Sequence, residues 1–217
     1  MRGRRVEAPA GAPSGAGVVG LGYPPRMGDA RNIFLVGPMG SGKTAVGKQL
    51  ARRLRLPFVD SDLEIERRTG VDIPHIFDKE GEAGFRVRES LVILELAARA
   101  GLVLSTGGGA ILRPDNREAL RAGGTVVYLE TSVARQAERV RRSNHRPLLA
   151  GAADPMARLA ELMALRAPLY ESVAHLTLRT DGTRVQDLVD RIIAALPPPV
   201  PAAPAPDGAS PGRILGP

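Results

Sequence analysis

The sequence contains Gly37-Pro38-Met39-Gly40-Ser41-Gly42-Lys43-Thr44, an instance of the pattern Gly-x-x-x-x-Gly-Lys-(Ser/Thr). The apolar run Ile33-Phe34-Leu35-Val36 comes directly before it, and a helix is predicted to follow from Thr44 to Leu54. Glycines let backbone N–H groups turn inward on a polyphosphate, and the first turn of a helix adds partial positive charge. Strand, loop and helix in this order predict a nucleoside triphosphate site, but the motif alone does not identify the acceptor.

Individual residues of this loop have distinct predicted tasks. Lys43 would reach the β- and γ-phosphates, and Thr44 would offer its hydroxyl to Mg²⁺, a hard cation that prefers oxygen ligands. We therefore expect ATP as a co-substrate and Mg²⁺ as a cofactor. The residues of the loop and first helical turn that we expect to bind nucleotide are Gly40, Ser41, Gly42, Lys43, Thr44 and Ala45.

The composition excludes several other classes of protein. The 217 residues include no cysteine, which rules out disulfide scaffolds, thiolate metal sites and cysteine nucleophiles. A nucleic-acid-binding interpretation rests only on the formal charge of +7, because aromatic residues make up 3% of the chain and offer little stacking surface. No uncharged stretch has the run of large apolar residues that a membrane span needs. We expect a soluble, cytoplasmic protein with no nucleic-acid or membrane partner.

One compact domain is predicted between two tails. Residues 1–30 are too poor in large apolar side chains to offset the entropy of ordering them, and we expect them to be disordered. No apolar segment follows Arg4 and Arg5. A plain tail, or an upstream-extended translation start before Met27, therefore explains this stretch better than a targeting signal. Residues 197–217 hold eight of the 19 prolines and are expected to form a Pro/Ala-rich disordered tail. The domain is then residues 31–196.

The domain alternates short apolar runs, rich in β-branched residues, with longer segments of helical period. This alternation is typical of a parallel sheet that is covered by helices on both faces. We therefore predict a three-layer α/β/α domain with a five-stranded parallel sheet. The predicted strands are Asn32 to Val36, Phe58 to Asp60, Leu102 to Ser105, Thr125 to Leu129 and Leu176 to Arg179.

Two carboxylates follow the second predicted strand in the segment Asp60-Ser61-Asp62. Ligands of open α/β sheets bind at the carboxyl ends of strands, and residues i and i+2 of an extended segment point the same way. One carboxylate can hold the water shell of Mg²⁺, while the other can accept a proton from a substrate hydroxyl. The alternative is that Asp62 simply caps a helix from Leu63 to Arg68.

Across almost the whole domain, from Arg31 to about Leu196, the sequence resembles the shikimate kinase family of P-loop proteins. Many ordered blocks carry the resemblance, which makes it more specific than any single motif. They are residues 32–40, Asp60-Ser61-Asp62, Ile76-Phe77, Gly81-Glu82, Gly84-Phe85-Arg86-Val87-Arg88-Glu89, Ser105-Thr106-Gly107-Gly108-Gly109, Val127-Tyr128-Leu129-Glu130, Arg146-Pro147-Leu148-Leu149 and Arg166-Ala167-Pro168-Leu169-Tyr170.

The resemblance implies ATP-dependent phosphorylation of the 3-hydroxyl of shikimate, a step toward chorismate and the aromatic amino acids. It implies that Arg86 and Arg166 bind the carboxylate of shikimate, a task for which a planar guanidinium suits better than an ammonium. Asp62 would bind the hydroxyls and act as the base, and Asp60 would lie near Mg²⁺, through water. The glycines Gly107, Gly108 and Gly109 would bring backbone N–H groups close to the substrate.

The resemblance also implies a lid and an adenine site. The lid would comprise residues 143–154, with Arg146 closing over the ATP phosphates and acting in catalysis. Arg139 would stack on adenine, although a solvated helix arginine is the alternative, and residues 180–184 would contact adenine through their backbone. Glu89 would orient Arg86 or be an ordinary exposed helix glutamate.

The expected mechanism is direct in-line phosphoryl transfer, with Lys43, Asp62 and Arg146 as the catalytic residues. We expect a monomer whose partners are the small molecules shikimate and ATP. Two alternatives remain at this stage. One is another small-molecule P-loop kinase, such as gluconate kinase, and the other is a non-enzymatic nucleotide-binding regulator on the same fold.

Overall fold

The computed structural model describes residues 31–140 and 154–198. In this part of the chain, a five-stranded parallel sheet has the order β2-β3-β1-β4-β5. The predicted three-layer fold is therefore confirmed, and each strand boundary lies within one residue of its prediction. The strands are β1 (Ile33–Val36), β2 (Phe58–Asp60), β3 (Val103–Ser105), β4 (Thr125–Glu130) and β5 (Leu176–Arg179).

Helices connect the strands and cover both faces of the sheet. They are α1 (Lys43–Leu54), α2 (Ser61–Thr69), α3 (Ile73–Ala97), α4 (Pro114–Gly123), α5 (Val133–Val140), α6 (Pro155–Val173) and α7 (Val185–Ala195), with one 3₁₀ turn at Ala110–Leu112. Helix α3 bends at Gly81, whose φ of 68° and ψ of −178° lie outside the helical region. In the described ranges, no helix is both long enough and apolar enough to cross a membrane.

The central strand is buried on both faces, which produces two separate cores. All four residues of β1 are 0% exposed, and their side chains alternate between the two layers. Phe34 and Val36 pack in one core with α3, α4 and α6, whereas Ile33 and Leu35 pack in the other with α1 and α7. This double burial is why β1 reads as a continuous apolar run rather than an alternating one.

Strand register brings three loops to one edge of the sheet. Ser105 at the end of β3 pairs with both Leu35 of β1 and Asp60 of β2. The strands are parallel, so the segments that follow them leave the sheet side by side. These segments are the loop of the Gly37–Thr44 motif, which we call the phosphate loop, the Asp60–Asp62 turn and the glycines at 107–109. All three carry predicted site residues.

The alternative that Asp62 caps the following helix is wrong, because the residue that caps this helix is Asp60. Helix α2 begins at Ser61 rather than Leu63, and the Asp60 side chain accepts a hydrogen bond from the backbone N–H of Asp62 at 3.2 Å. Asp60 is extended, with φ of −108° and ψ of 123°, which is the usual geometry of a residue that precedes a helix. The Asp62 side chain is consequently not used as the helix cap.

Some predicted segments lie outside the described residues. These are the N-terminal tail at 1–30, the C-terminal tail from residue 199 onward, and the predicted lid except for Asp154. Asp154 caps α6, because its side chain accepts hydrogen bonds from the N–H groups of Met156 and Ala157. The last residue of the predicted lid is thus the first anchor of the following helix.

An ion-pair cluster fastens α2 to α3. Glu64 is 7% exposed, and its carboxylate accepts hydrogen bonds from Arg67 at 2.8 and 2.9 Å and from Arg68 at 2.6 Å. Arg68 also donates to Glu95 of α3. The hydrogen bond from Arg67 is the largest influence on Glu64, and together with Arg68 it outweighs burial and lowers the pKa of Glu64 to about 2.

We expect Glu64→Gln to destabilise the fold at neutral pH by an amount that shrinks in acid. The folded-state pKa lies below the ordinary value of 4.5, so the stabilisation is complete above that pH and is lost as the pH falls toward about 2. Urea unfolding of both proteins from pH 7 to pH 2.5 measures the difference. Glu118→Gln is the control, since Glu118 is exposed and has no ion pair among the described residues. A Glu64→Gln difference that is independent of pH would contradict the prediction.

Candidate active site

The phosphate loop holds its lysine in a buried position. Lys43 is 8% exposed, and its Nζ donates hydrogen bonds to the carbonyl oxygens of Gly37 and Pro38 at 2.8 Å each, and to Ser41 Oγ at 3.3 Å. The loop needs glycine at its ends, because Gly37 has a φ of 144° and a Cβ there would lie 2.6 Å from the Leu129 carbonyl oxygen. The ammonium is therefore fixed at the start of α1, beside the N–H groups that a phosphate would use.

A first pocket lies over this loop. Helix α5 is tied to the loop by Arg139, whose Nη1 donates to the Gly40 carbonyl oxygen at 2.6 Å. Arg139 is exposed and lines the pocket edge, and its predicted stacking on adenine stays a prediction. The pocket is lined by Met39, Gly40, Gly42, Lys43, Thr44, Ala45, Asp60, Asp62, Ser105, Thr106, Gly107, Gly108 and Arg139.

Thr44 and Asp60 place oxygen atoms together in this pocket. Thr44 Oγ1 donates to Asp60 Oδ2 at 3.0 Å, while Asp60 Oδ1 is engaged by the N–H of Asp62. No cluster of three or more histidine, cysteine, aspartate or glutamate side chains that could hold a metal occurs in residues 31–140 or 154–198. One hydroxyl and one carboxylate fit Mg²⁺, which uses few protein ligands and takes its other oxygens from phosphates and water.

A second pocket adjoins the first and has a different chemistry. Its walls combine apolar side chains from both halves of the bent helix α3 with two arginines and three carboxylates. The lining residues are Met39, Asp62, Glu66, Ile73, Pro74, Phe77, Phe85, Arg86, Glu89, Gly107, Gly108, Gly109 and Arg166. An occupant of this pocket would meet cations, hydrogen-bond acceptors and an apolar surface at once.

Arg86 is held rigidly in this second pocket. Its Nη1 donates to Glu89 Oε2 at 2.6 Å, and its Nη2 donates to Glu82 Oε1 at 2.8 Å. Burial lowers the pKa of Arg86, but Glu89 and Glu82 outweigh it and the pKa is raised overall. The exposed alternative for Glu89 is wrong, because this side chain is 0% exposed and burial raises its pKa. Glu89 therefore orients Arg86.

Arg166 brings a second guanidinium into the same pocket from α6. It is 4% exposed and donates from Nη1 to the Gly108 carbonyl oxygen at 3.5 Å. Burial lowers the pKa of Arg166, and the nearby charge of Arg86 acts in the same direction. Two neighbouring guanidiniums that repel each other would both be stabilised by an anion between them, which is the chemistry of a carboxylate subsite.

The two pockets meet at Asp62 and the glycine segment. Met39, Asp62, Gly107 and Gly108 line both cavities. The N–H of Gly107 donates to Ser61 Oγ at 2.9 Å, which anchors the segment to the first turn of α2. A Cβ at residue 107 would lie 2.6 Å from Glu89 Oε1 and 2.7 Å from Asp62 Oδ1. A larger residue at 107 would have to displace one of these two carboxylates, and Asp62 lies at the point where the pockets join.

Two predicted parts of the site do not line these pockets in the described part of the chain. They are Arg146 and residues 180–184. Arg146 lies outside the described residues, so its role stays a prediction. In the 180–184 segment, Thr180 Oγ1 lies 2.6 Å from Thr131 Oγ1, and Asp181 accepts a hydrogen bond from the Ser132 N–H at 3.2 Å. The segment is thus placed against the residues that lead into α5, and its predicted contact with adenine remains untested.

Several residues of the second pocket, which we call the acceptor pocket, were not predicted from the sequence. Glu66, Ile73 and Pro74 line it, yet no motif marks them, because they reach the pocket through the fold of α2 against α3. Tyr170 was also not assigned, although its hydroxyl donates to the Gly108 carbonyl oxygen. A signal for Tyr170 did exist, since it lies four residues after Arg166 on a helix and therefore shares its face.

The chain is similar to a family model and to several characterised sequences. A family model described as shikimate kinase matches residues 39–197. The shikimate kinase of Pseudomonas savastanoi pv. phaseolicola is 55% identical over 166 residues, which cover 76% of this chain and 96% of that protein. The shikimate kinase of Pasteurella multocida is 52% identical over 173 residues and is covered to 99%.

Solved structures give the same result. A shikimate kinase from Acinetobacter baumannii, in complex with shikimate, aligns with a TM-score of 0.73 at 52% sequence identity, covering 76% of this chain and 91% of that one. A shikimate kinase from Bacteroides thetaiotaomicron aligns with a TM-score of 0.70 at 35% identity, covering 76% and 97%.

We expect Gly107→Ala to separate nucleotide binding from phosphoryl transfer. The added methyl group displaces Asp62 and Glu89 in the second pocket, but the phosphate loop stays intact. Phosphoryl-transfer activity should fall by about 100-fold, the order expected when a reacting group is misplaced by about 1 Å. Calorimetry should show nucleotide affinity within about 3-fold of the unaltered protein, roughly 0.6 kcal/mol. Unchanged transfer activity would contradict the close packing of residue 107.

Proposed function

The chain belongs to the shikimate kinase family, and we propose that its two pockets transfer the γ-phosphoryl group of ATP directly to the 3-hydroxyl of shikimate. The resemblance found from the sequence is thereby confirmed, and the chain is an enzyme of aromatic amino acid biosynthesis. The observation that carries the proposed chemistry is the shared boundary of the pockets at Asp62 and Gly107. This transfer requires a site for the nucleotide phosphates and a site for the substrate carboxylate, and the two sites must meet at a carboxylate of the protein, here Asp62.

The acceptor side follows from charge and hydrogen bonding. We propose that Arg86 and Arg166 bind the carboxylate of shikimate, because both guanidiniums line the same pocket, where Arg166 is buried and the Arg86 side chain is 11% exposed. Asp62, at the junction, accepts hydrogen bonds from the substrate hydroxyls and takes the proton of the 3-hydroxyl as the new P–O bond forms. Gly107, Gly108 and Gly109 form the wall along which the hydroxyl approaches the nucleotide.

The nucleotide side supplies the phosphoryl group and stabilises its charge. Residues 40–45 bind the phosphates through backbone N–H groups, with Lys43 at the β- and γ-phosphates and Arg139 at the edge of the site. Thr44 and Asp60 would hold Mg²⁺, which supplies charge neutralisation on the β- and γ-phosphate oxygens. Arg146, from the predicted lid, is proposed to add positive charge to the transferred group.

The transfer is proposed to be a single in-line displacement. The 3-hydroxyl oxygen attacks the γ-phosphorus, the bond to the β,γ-bridging oxygen breaks, and ADP leaves with that electron pair. No side chain of the protein forms a bond to phosphorus, so positioning and charge stabilisation account for the catalysis. The completeness of the acceptor pocket argues against a regulator that only binds nucleotide. The monomeric state and the cytoplasmic location expected from the sequence remain predictions.

The proposed function is tested by ADP release from MgATP, measured with and without shikimate and with gluconate as the control acceptor. We expect turnover that depends on shikimate and is absent with gluconate. Turnover on gluconate would favour the other small-molecule kinase. ATP binding without turnover on either acceptor would favour the nucleotide-binding regulator and overturn the proposal.

We expect Asp62→Asn to reduce kcat by about 100-fold or more, the usual contribution of a positioned general base. The amide keeps the shape of the side chain but cannot take the proton of the hydroxyl. Calorimetry should show that ATP binding is retained. The matched control is Glu161→Gln, which removes an exposed carboxylate on α6 whose one ion pair within the described ranges is with Arg158. Equal activity of the two variants would refute the role of Asp62.

A further inference from the structure

Tyr170 lies directly behind the acceptor pocket. Its side chain is 0% exposed, and its ring stacks on Tyr128, with centroids 5.0 Å apart and planes 18° apart. Its hydroxyl donates to the carbonyl oxygen of Gly108, one of the residues that both pockets share. Burial raises the pKa of Tyr170, so the hydroxyl keeps its proton and remains a donor at any working pH.

The same carbonyl oxygen is within reach of Arg166. The Arg166 Nη1 lies 3.5 Å from Gly108 O, at the outer limit of a hydrogen bond. Among the described residues, Arg166 makes no salt bridge, whereas Arg86 makes two. Arg166 is therefore not held by an ion pair in this part of the chain, and its side chain lies close to both Gly108 O and the Tyr170 hydroxyl.

We infer that Tyr170 is a positioning residue for the acceptor site: its hydroxyl engages the Gly108 carbonyl and so keeps the Arg166 guanidinium available to the substrate carboxylate. This inference rests on the proposed function, because it assumes that Arg166 binds shikimate. Without the hydroxyl, the part-buried Gly108 carbonyl loses its neutral donor and recruits the nearby guanidinium, since a charged donor forms the stronger bond. The guanidinium would then be turned from the pocket toward the protein backbone.

The Tyr128–Tyr170 stack provides a matched pair of variants. Tyr170→Phe and Tyr128→Phe each remove one hydroxyl from a buried ring and leave the stack itself in place. Tyr128 is 2% exposed, and its hydroxyl has no hydrogen-bond partner among the described residues. A loss that is specific to Tyr170 therefore reports on the bond to Gly108 and not on the packing of the rings.

The first test is the pair of Michaelis constants for each variant. We expect Tyr170→Phe to raise the KM for shikimate about 10-fold, the scale of one lost hydrogen bond near a charged group, while the KM for ATP stays within about 2-fold. Calorimetry should show the same loss of shikimate affinity without turnover. Tyr128→Phe should change neither constant. A Tyr170→Phe protein that matches Tyr128→Phe, or that loses affinity for ATP and shikimate alike, overturns the inference.

The second test asks whether Tyr170 acts through Arg166. A double-mutant cycle adds Tyr170→Phe to Arg166→Lys. Lysine is the chosen background because it has no planar guanidinium that could turn toward Gly108 O. We expect the effect of Tyr170→Phe on shikimate affinity to fall below about 2-fold in that background, and an undiminished 10-fold effect would contradict the inference. Unaltered enzyme without shikimate-dependent turnover would refute the proposed function and this inference together. Normal unaltered enzyme with an unaffected Tyr170→Phe variant would refute this inference alone.

Discussion

The wall between the two pockets consists of bare backbone, and the arrangement of the active site depends on it. At residue 107 even one methyl group would displace the side chain of Asp62 or Glu89. Because the wall is so thin, a hydroxyl held in one pocket can lie within bonding reach of a phosphate held in the other. The parallel register of β1, β2 and β3 places this wall, since all three strands end at the same edge of the sheet.

Burial of charge around this wall is balanced locally. Glu89 is buried beside Arg86, and the ion pair between them orients the Arg86 guanidinium. Arg166 has no such ion pair in the described ranges, and burial lowers its pKa, so an incoming carboxylate would supply the missing negative charge. The proposed carboxylate site therefore differs from the phosphate loop, where Lys43 is held by the carbonyl oxygens of Gly37 and Pro38.

Local sequence patterns were sufficient for the elements and for the first contacts of the site. The burial of β1 on both faces makes it a continuous apolar run, and the phosphate loop follows a fixed spacing, so both could be predicted. Asp60 could not be identified as the cap, because capping depends on where the helix begins, which propensity fixes only to within a few residues. Glu66 and Ile73 reach the site by tertiary packing alone, and no short-range pattern reports such contacts.

The central claim is that the γ-phosphoryl group of ATP is transferred to shikimate across this glycine wall in one step. The stereochemical course at phosphorus tests it most directly, using ATP made chiral at the γ-phosphorus with oxygen isotopes and shikimate as the acceptor. A single in-line displacement inverts the configuration, and inversion in the shikimate 3-phosphate is the result that the account predicts. Retention would require two successive displacements and a phosphorylated side chain, and it would contradict direct transfer between the two pockets.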